Sequence, residues 1–281
     1  MSAHRPFELR ASDGRLIRGD RSIGQDRQIL FITGFLSKRW GNKSKALAQW
    51  CDEQGWGFCC YDVRGFGDSE GVFTDYTLSD WIADARTVFK MLTDNDHLTR
   101  PPQASSHPPA PSLQSQAPVS GDAPPPRVTI VGNSLGSWIA WLVAREFPIV
   151  DELILVAPAF NMMGERAKAI SKERLHDWHT AGWMPWDDDP VHRDWLLSWK
   201  WVEESESYWA TTFDHLRPVK TTILHGEQDT VISPEGSKGF ANELLRRDPS
   251  FPIALQLIPG DHRLSSPEHL ELFRRLVMRE V

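Results

Sequence analysis

Ser134, Asp229 and His262 are the residues of this chain whose types, order and surroundings could perform nucleophilic acyl transfer. A serine hydroxyl attacks a carbonyl well only when an imidazole takes its proton, and the imidazole serves only when an acid fixes its tautomer. Ser134 is the centre of Gly132-Asn133-Ser134-Leu135-Gly136, a Gly-x-Ser-x-Gly pattern. The run Val128-Thr129-Ile130-Val131 before it predicts a buried strand, and the apolar stretch 137–147 after it predicts a helix. A strand that turns straight into a helix holds its serine in a strained, exposed conformation above the sheet. The two backbones pass close together there, so both flanking positions must be small, as Gly132 and Gly136 are. The helix N-terminus adds free N–H groups and the positive end of its dipole.

The other two residues follow from looking just past predicted strands, because ligands of open parallel sheets bind beyond the carboxyl ends. After Thr221-Thr222-Ile223-Leu224 comes His225-Gly226-Glu227-Gln228-Asp229, and after the strand 252–258 comes Pro259-Gly260-Asp261-His262-Arg263. His262 is then the expected base, and Asp229 the acid that orients it. Glu227 is the second candidate for the acid; Asp261 is a weaker third, since chain neighbours rarely point at each other's reacting atoms. Two backbone amides should hold the developing oxyanion: that of Leu135, directly after the nucleophile, and one in the loop after the strand ending at Thr33. Phe35 is the first choice in that loop and Leu36 the second. The glycine-rich stretch with Asp62, Arg64, Gly65, Gly67 and Ser69 reads as a structural turn that ties neighbouring loops together. His176 and His179 have helical i, i+3 spacing but no third ligand, so no metal is expected, and no cofactor. His225 is expected to be packed or hydrogen-bonded at its strand end.

These residues need a scaffold, and the remaining patterns supply one. A hairpin over 7–18 turns at Asp13-Gly14. Buried strands follow at 28–33 and 58–61, with helices at 44–54 and 77–92. A strand at 152–156 succeeds the serine helix; helices at 234–246 and 267–278 flank the strand 252–258. Alternating strands and helices imply a mostly parallel sheet of about eight strands with helices on both faces. The rhythm breaks over 158–213, which carries seven of the thirteen tryptophans and reads as helices joined by a turn at 184–190. The layout is that of an α/β-hydrolase fold: a core over 1–157 and 214–281, and a helical, Trp-rich cap over 158–213. Residues 100–126 are rich in Pro, Ser, Ala and Gln, cannot bury enough apolar surface to offset ordering entropy, and are expected to be a disordered insertion.

Composition narrows the partners. A net charge of −7 gives no basis for nucleic-acid or anionic-membrane binding. No apolar run approaches the ~20 residues that span a bilayer. Three cysteines, two of them adjacent, do not suit a disulfide framework. With no apolar signal core or organelle-targeting pattern at residues 1–6, a cytoplasmic location is the expectation.

Several stretches resemble serine α/β-hydrolases of the mitochondrial acyl-protein thioesterase type, also described as acyl-glucuronide esterases, and their bacterial relatives. They are Phe31-Ile32-Thr33-Gly34-Phe35-Leu36-Ser37, Tyr61-Asp62-Val63-Arg64-Gly65-Phe66-Gly67-Asp68-Ser69, Gly132-Asn133-Ser134-Leu135-Gly136-Ser137-Trp138 and Gly260-Asp261-His262-Arg263-Leu264. The resemblance implies Ser134, Asp229 and His262 as a triad that hydrolyses long-chain S-acyl thioesters or acyl glucuronides. It does not extend to 100–126. A Trp-rich cap suits an apolar acyl group, on a small molecule or an S-acylated protein. The alternatives are amide or C–C bond hydrolysis by the same residues, or a binding scaffold without turnover, which would be marked by loss of a triad member.

Overall fold

The computed structural model describes residues 4–24, 26–93, 127–186, 191–193 and 195–279. Strands β1 (Arg5–Arg10) and β2 (Leu16–Ser22) form the N-terminal hairpin, whose turn places Gly14 at φ 85°. The other strands of the main sheet are β3 (Arg27–Ile32), β4 (Gly57–Tyr61), β5 (Arg127–Asn133), β6 (Val150–Val156), β9 (Lys220–Gly226) and β10 (Ile253–Ile258). Their order is β1-β2-β4-β3-β5-β6-β9-β10. The pairs β1–β2 and β2–β4 are antiparallel, and all others are parallel. This is the eight-stranded α/β-hydrolase sheet that the alternating pattern predicts. The expected insertion at 100–126 lies outside the described residues.

The side-chain period of a strand sorts the sheet's residues between two cores. Ile29, Phe31, Phe58, Cys60, Val131, Ile154, Val156 and Leu224 face one side, against α1 (Asn42–Gln54) and α8 (Pro267–Met278). Leu30, Ile32, Cys59, Tyr61, Ile130, Leu153, Leu155 and Ile223 face the other, against α2 (Leu78–Thr93), α3 (Leu135–Ala144) and α7 (Pro234–Arg247). The central strands are therefore apolar in continuous runs rather than alternating, since both faces are covered. Each fully buried Ile, Leu, Val or Phe contributes about 1.5–3 kcal/mol of transfer free energy. Helix α3 is buried on every side, as its all-round apolar sequence requires. All three cysteines are buried and free; burial pushes the Cys51 thiol up to about 12.

Between β6 and β9 lie α4 (Met162–Ala169), α5 (Lys172–Ala181) and α6 (Lys200–Ala210). The connection between the last two departs from the expected helix–turn–helix. Trp183–Pro185 (β7) pairs antiparallel with Leu196–Ser198 (β8), and the ladder continues through the Trp186 amide to the Trp195 carbonyl at 2.7 Å. Met184 and Leu197 are both buried at this pair, so their backbone polar groups must find partners in the protein. Strands of three residues are too short to show a period in sequence.

The strand ends opposite the candidate site are clamped by charge. Arg27, buried at the start of β3, donates to Thr129 Oγ1 (2.9 Å), the Val277 carbonyl (2.6 Å) and Glu152 Oε2 (2.8 Å). Glu152, buried on β6, also receives Lys220 Nζ at 2.8 Å and Arg279 Nη2 at 3.0 Å. Burial works to raise the Glu152 pKa, but the bonds from Lys220 and Arg279 and the Arg27 charge hold it below the ordinary carboxylate range.

Candidate active site

Ser134 sits between β5 and α3 at φ 54°, ψ −123°, a conformation that costs a non-glycine residue about 1–3 kcal/mol. The surrounding structure enforces it. A Cβ on Gly132 would stand 2.4 Å from Ser137 Cα, and one on Gly136 would stand 2.3 Å from the Ile32 and Thr33 carbonyl oxygens. Both are backbone collisions that no side-chain adjustment relieves. The Ser134 amide donates to the Val156 carbonyl at 2.8 Å and its carbonyl accepts from Ala159 at 3.2 Å, which fastens the turn to the end of β6.

Two loops bring the other predicted residues to this serine. The β9 and β10 ends are cross-tied: the Glu227 amide donates to the Ile258 carbonyl at 2.8 Å, and the Gln228 amide to the Gly260 carbonyl at 3.0 Å. Gly226 allows the approach, since its Cβ would lie 2.4 Å from the Gly260 oxygen. Across this junction His262 Nδ1 donates to Asp229 Oδ2 at 2.7 Å, and Ser134 Oγ donates to His262 Nε2 at 3.1 Å. A carboxylate can only accept, so the ring proton is on Nδ1 and Nε2 is free to take the serine's proton. Ser134 and Asp229 are buried, while the His262 ring keeps 20% of its surface in contact with solvent. On the far side, the Lys43 ammonium donates to the Arg263 carbonyl and tethers the His262 loop to the start of α1. Burial pulls the Lys43 pKa down to about 8 against the influence of Asp261.

Asp229 has no idle acceptor. Oδ1 takes the amides of Val231 (2.9 Å) and Ile232 (2.8 Å), and Oδ2 takes His225 Nε2 (3.0 Å) as well as His262. Burial would raise its pKa, but the bonds from His225, His262 and Ile232 outweigh it and hold the carboxyl well below the usual range. The rival acids are elsewhere. Glu227 is exposed, and Asp261 Oδ1 accepts the amides of Arg263 (3.0 Å) and Leu264 (3.2 Å) within its own turn.

The amides of Leu135 and Phe35 have no protein acceptor among the described residues; Leu135 follows Ser134 directly, and a Cβ on Gly34, next to Phe35, would stand 3.0 Å from Ser134 Cβ. The Phe35 loop is a tight turn closed by the Ser37 amide on the Gly34 carbonyl (3.2 Å), with Leu36 at φ 51°. The Phe35 ring is held among Phe73, Trp81, Trp186 and Trp201, at centroid distances of 5.1–5.8 Å. That aromatic clamp has no signature in spacing. The 62–69 turn is structural, as expected: Asp62 accepts the Arg39 amide and guanidinium, and Arg64 Nε binds Asp84 Oδ1 at 2.6 Å. His176 and His179 are both exposed, and no metal-binding group of three is present among the described residues. His225, expected to be packed or hydrogen-bonded at its strand end, is both. Its bond to Asp229 is set by a four-residue turn, and its other nitrogen faces Ser237 on α7, twelve residues away.

A cleft of about 1580 Å³ opens over Ser134. Phe160, Met162, Trp209, Phe213 and Phe240 line it, with Phe160 and Phe240 stacked at 3.9 Å and 9°. Gly236 and Gly239 also line it, and apart from chain neighbours and the backbone of α7 itself nothing lies within 4 Å of where a Cβ would stand on either.

The model of the alpha/beta hydrolase family matches residues 29–278. The chain belongs to that family. Among its curated relatives is the bovine protein named palmitoyl-protein thioesterase ABHD10, mitochondrial, 22% identical over 260 residues, covering 90% of this chain and 72% of that one. Mouse alpha/beta hydrolase domain-containing protein 10 has a solved structure that superposes with a TM-score of 0.74 at 21% identity, covering 99% of this chain and 100% of the other. A hydrolase from Agrobacterium vitis S4 superposes at 0.78 with 19% identity, covering 99% and 98%. At these identities the structural likeness concerns the fold.

Proposed function

We propose that this chain is a serine hydrolase that cleaves esters or thioesters of an apolar acyl group through an acyl-enzyme on Ser134. The observation that carries this reading is the unbroken hydrogen-bond chain from Ser134 through His262 to Asp229, opening into an aromatic-walled cleft. Ser134 Oγ attacks the carbonyl carbon as its proton moves to His262 Nε2. The amides of Leu135 and Phe35 stabilise the oxyanion. As the tetrahedral species collapses, His262 returns the proton to the departing alcohol or thiol. A water, deprotonated by His262, then attacks the acyl-serine; the acid leaves and Ser134 regains its proton. Asp229 stays ionised throughout and stabilises the imidazolium. The thioesterase named among the relatives supports the thioester arm.

Segment 158–213 acts in this reading as a cap over the acyl group. Two of its tryptophans, Trp178 and Trp201, are buried packing, whereas Trp186 and Trp209 face the cleft. Each methylene buried in such a wall adds about 0.8 kcal/mol, or roughly fourfold in kcat/KM if the transition state keeps the contact. Comparison of p-nitrophenyl esters and acyl-CoA thioesters from acetyl to palmitoyl should show octanoyl or longer chains favoured at least about tenfold over acetyl. Preference for acetyl would overturn the acyl assignment. Gly239→Leu places a side chain in the open space beside Phe240 and should move the optimum to shorter chains, with the acetyl ester unaffected.

A further inference from the structure

We propose that His225 is a positioning residue: a second imidazole that locks Asp229, and through it His262, in the reactive arrangement. The inference rests on Ser134 being the nucleophile. Its basis is geometric. His225 is fully buried at the end of β9, and its Nε2 lies 3.0 Å from Asp229 Oδ2 and 3.1 Å from the Ile232 carbonyl. Both are acceptors, so the ring proton is on Nε2. Nδ1 then accepts from the Ser237 hydroxyl at 2.7 Å, which closes off the other tautomer. Ser237 is fully buried in the first turn of α7.

Asp229 Oδ2 therefore receives two imidazole N–H bonds, from His225 and from His262, while two amides pin Oδ1. A carboxylate held at four points cannot rotate about its last torsion to follow the solvent or the moving imidazolium. The lone pair offered to His262 stays aimed at Nδ1 during both proton transfers. Without His225, Oδ2 keeps His262 as its one side-chain donor, and the carboxylate gains freedom to tilt about the pinned Oδ1. That loss appears in the step in which the imidazolium forms, not in substrate binding, because His225 has no surface toward the cleft.

The experiment measures kcat and KM on a p-nitrophenyl ester for His225→Phe, His225→Gln and Ser237→Ala, with Ser134→Ala as control. Phenylalanine keeps the ring volume and removes the donor. Loss of one hydrogen bond to a charged group corresponds to a kcat lower by roughly ten- to hundredfold, with KM within about twofold. Glutamine carries an amide nitrogen at the reach of Nε2, with one N–H for each acceptor, and should recover most of that loss. Ser237→Ala keeps the bond to Asp229 but frees the tautomer, and should lose less than His225→Phe. Independently, 15N NMR of histidine-labelled wild-type protein should show His225 protonated on Nε2, a readout that does not depend on any variant folding. Wild-type kcat in His225→Phe, equal losses in the Phe and Gln variants, or an Nδ1-protonated His225 would each overturn the proposal. Turnover by Ser134→Ala would instead remove the nucleophile assignment, whatever His225 does.

Discussion

Ser134→Ala is expected to lower kcat by about a millionfold, and Asp229→Asn by about 10⁴-fold, with the fold of both variants intact. The second is the more informative. The carbonyl oxygen of the introduced amide would still accept the backbone N–H groups of Val231 and Ile232, which fixes the side chain and turns its NH2 group to where Oδ2 now stands. His262 Nδ1 and His225 Nε2 would then both face a donor instead of a carboxylate; His225 keeps the Ile232 carbonyl at 3.1 Å as its acceptor, and the His262 proton would move to Nε2. An imidazole protonated on Nε2 donates toward Ser134 and cannot accept from it, so the general base is lost while every atom stays near its place. Asp229→Asn should therefore keep the wild-type circular dichroism spectrum and a KM within a fewfold of it. Wild-type kcat in this variant would remove Asp229 from the mechanism and return attention to Glu227.

Glu152→Ala should destabilise the protein by about 3–5 kcal/mol without changing kcat per folded molecule. Glu152 and Arg27 are both buried, and the alanine would leave the Arg27 guanidinium with a neutral hydroxyl, a carbonyl and the Trp56 ring as its company. An unpaired buried charge is costly because its lost hydration is not replaced. The loss is large against a total stability of about 5–15 kcal/mol, and urea denaturation followed by tryptophan fluorescence would measure it. The clamp also has a pH signature. The folded-state pKa of Glu152 is depressed, so its contribution is complete above the unfolded value of about 4.3 and is lost as pH falls through the folded value. Glu152→Gln should flatten that part of the acid limb and leave the pH dependence of stability near neutrality as it is in the wild type. An unchanged acid limb would mean that other carboxylates dominate it.

Much of the fold was readable because it depends on short-range rules. The strands β3, β4, β5, β6 and β9 are five to seven residues long, and each holds a short β-branched or apolar stretch that marks a sheet covered on both faces. The ends of β5, β9 and β10 pointed to Ser134, Asp229 and His262, because side chains just beyond parallel strands are the ones a shared crevice can use. Gly132 and Gly136 were legible for the same reason, as contacts between adjoining elements. The parts that escaped depend on tertiary placement. The β7–β8 pair is three residues to a side around the buried Met184 and Leu197, and carries no period. The His225–Ser237 bond joins a strand to a helix across a loop, and nothing in their spacing distinguishes it from ordinary packing. The tryptophans of 158–213 look alike in sequence; only packing divides them into core and cleft wall.

The most direct test of Ser134 as nucleophile is labelling by an active-site-directed fluorophosphonate, which reacts only with a serine activated by its own base and oxyanion donors. The wild-type protein should gain one phosphonyl group, mapped by peptide mass spectrometry to Ser134, and Ser134→Ala should gain none. Wild-type protein that stays unlabelled, or a Ser134→Ala variant that labels equally, would contradict Ser134 as the nucleophile.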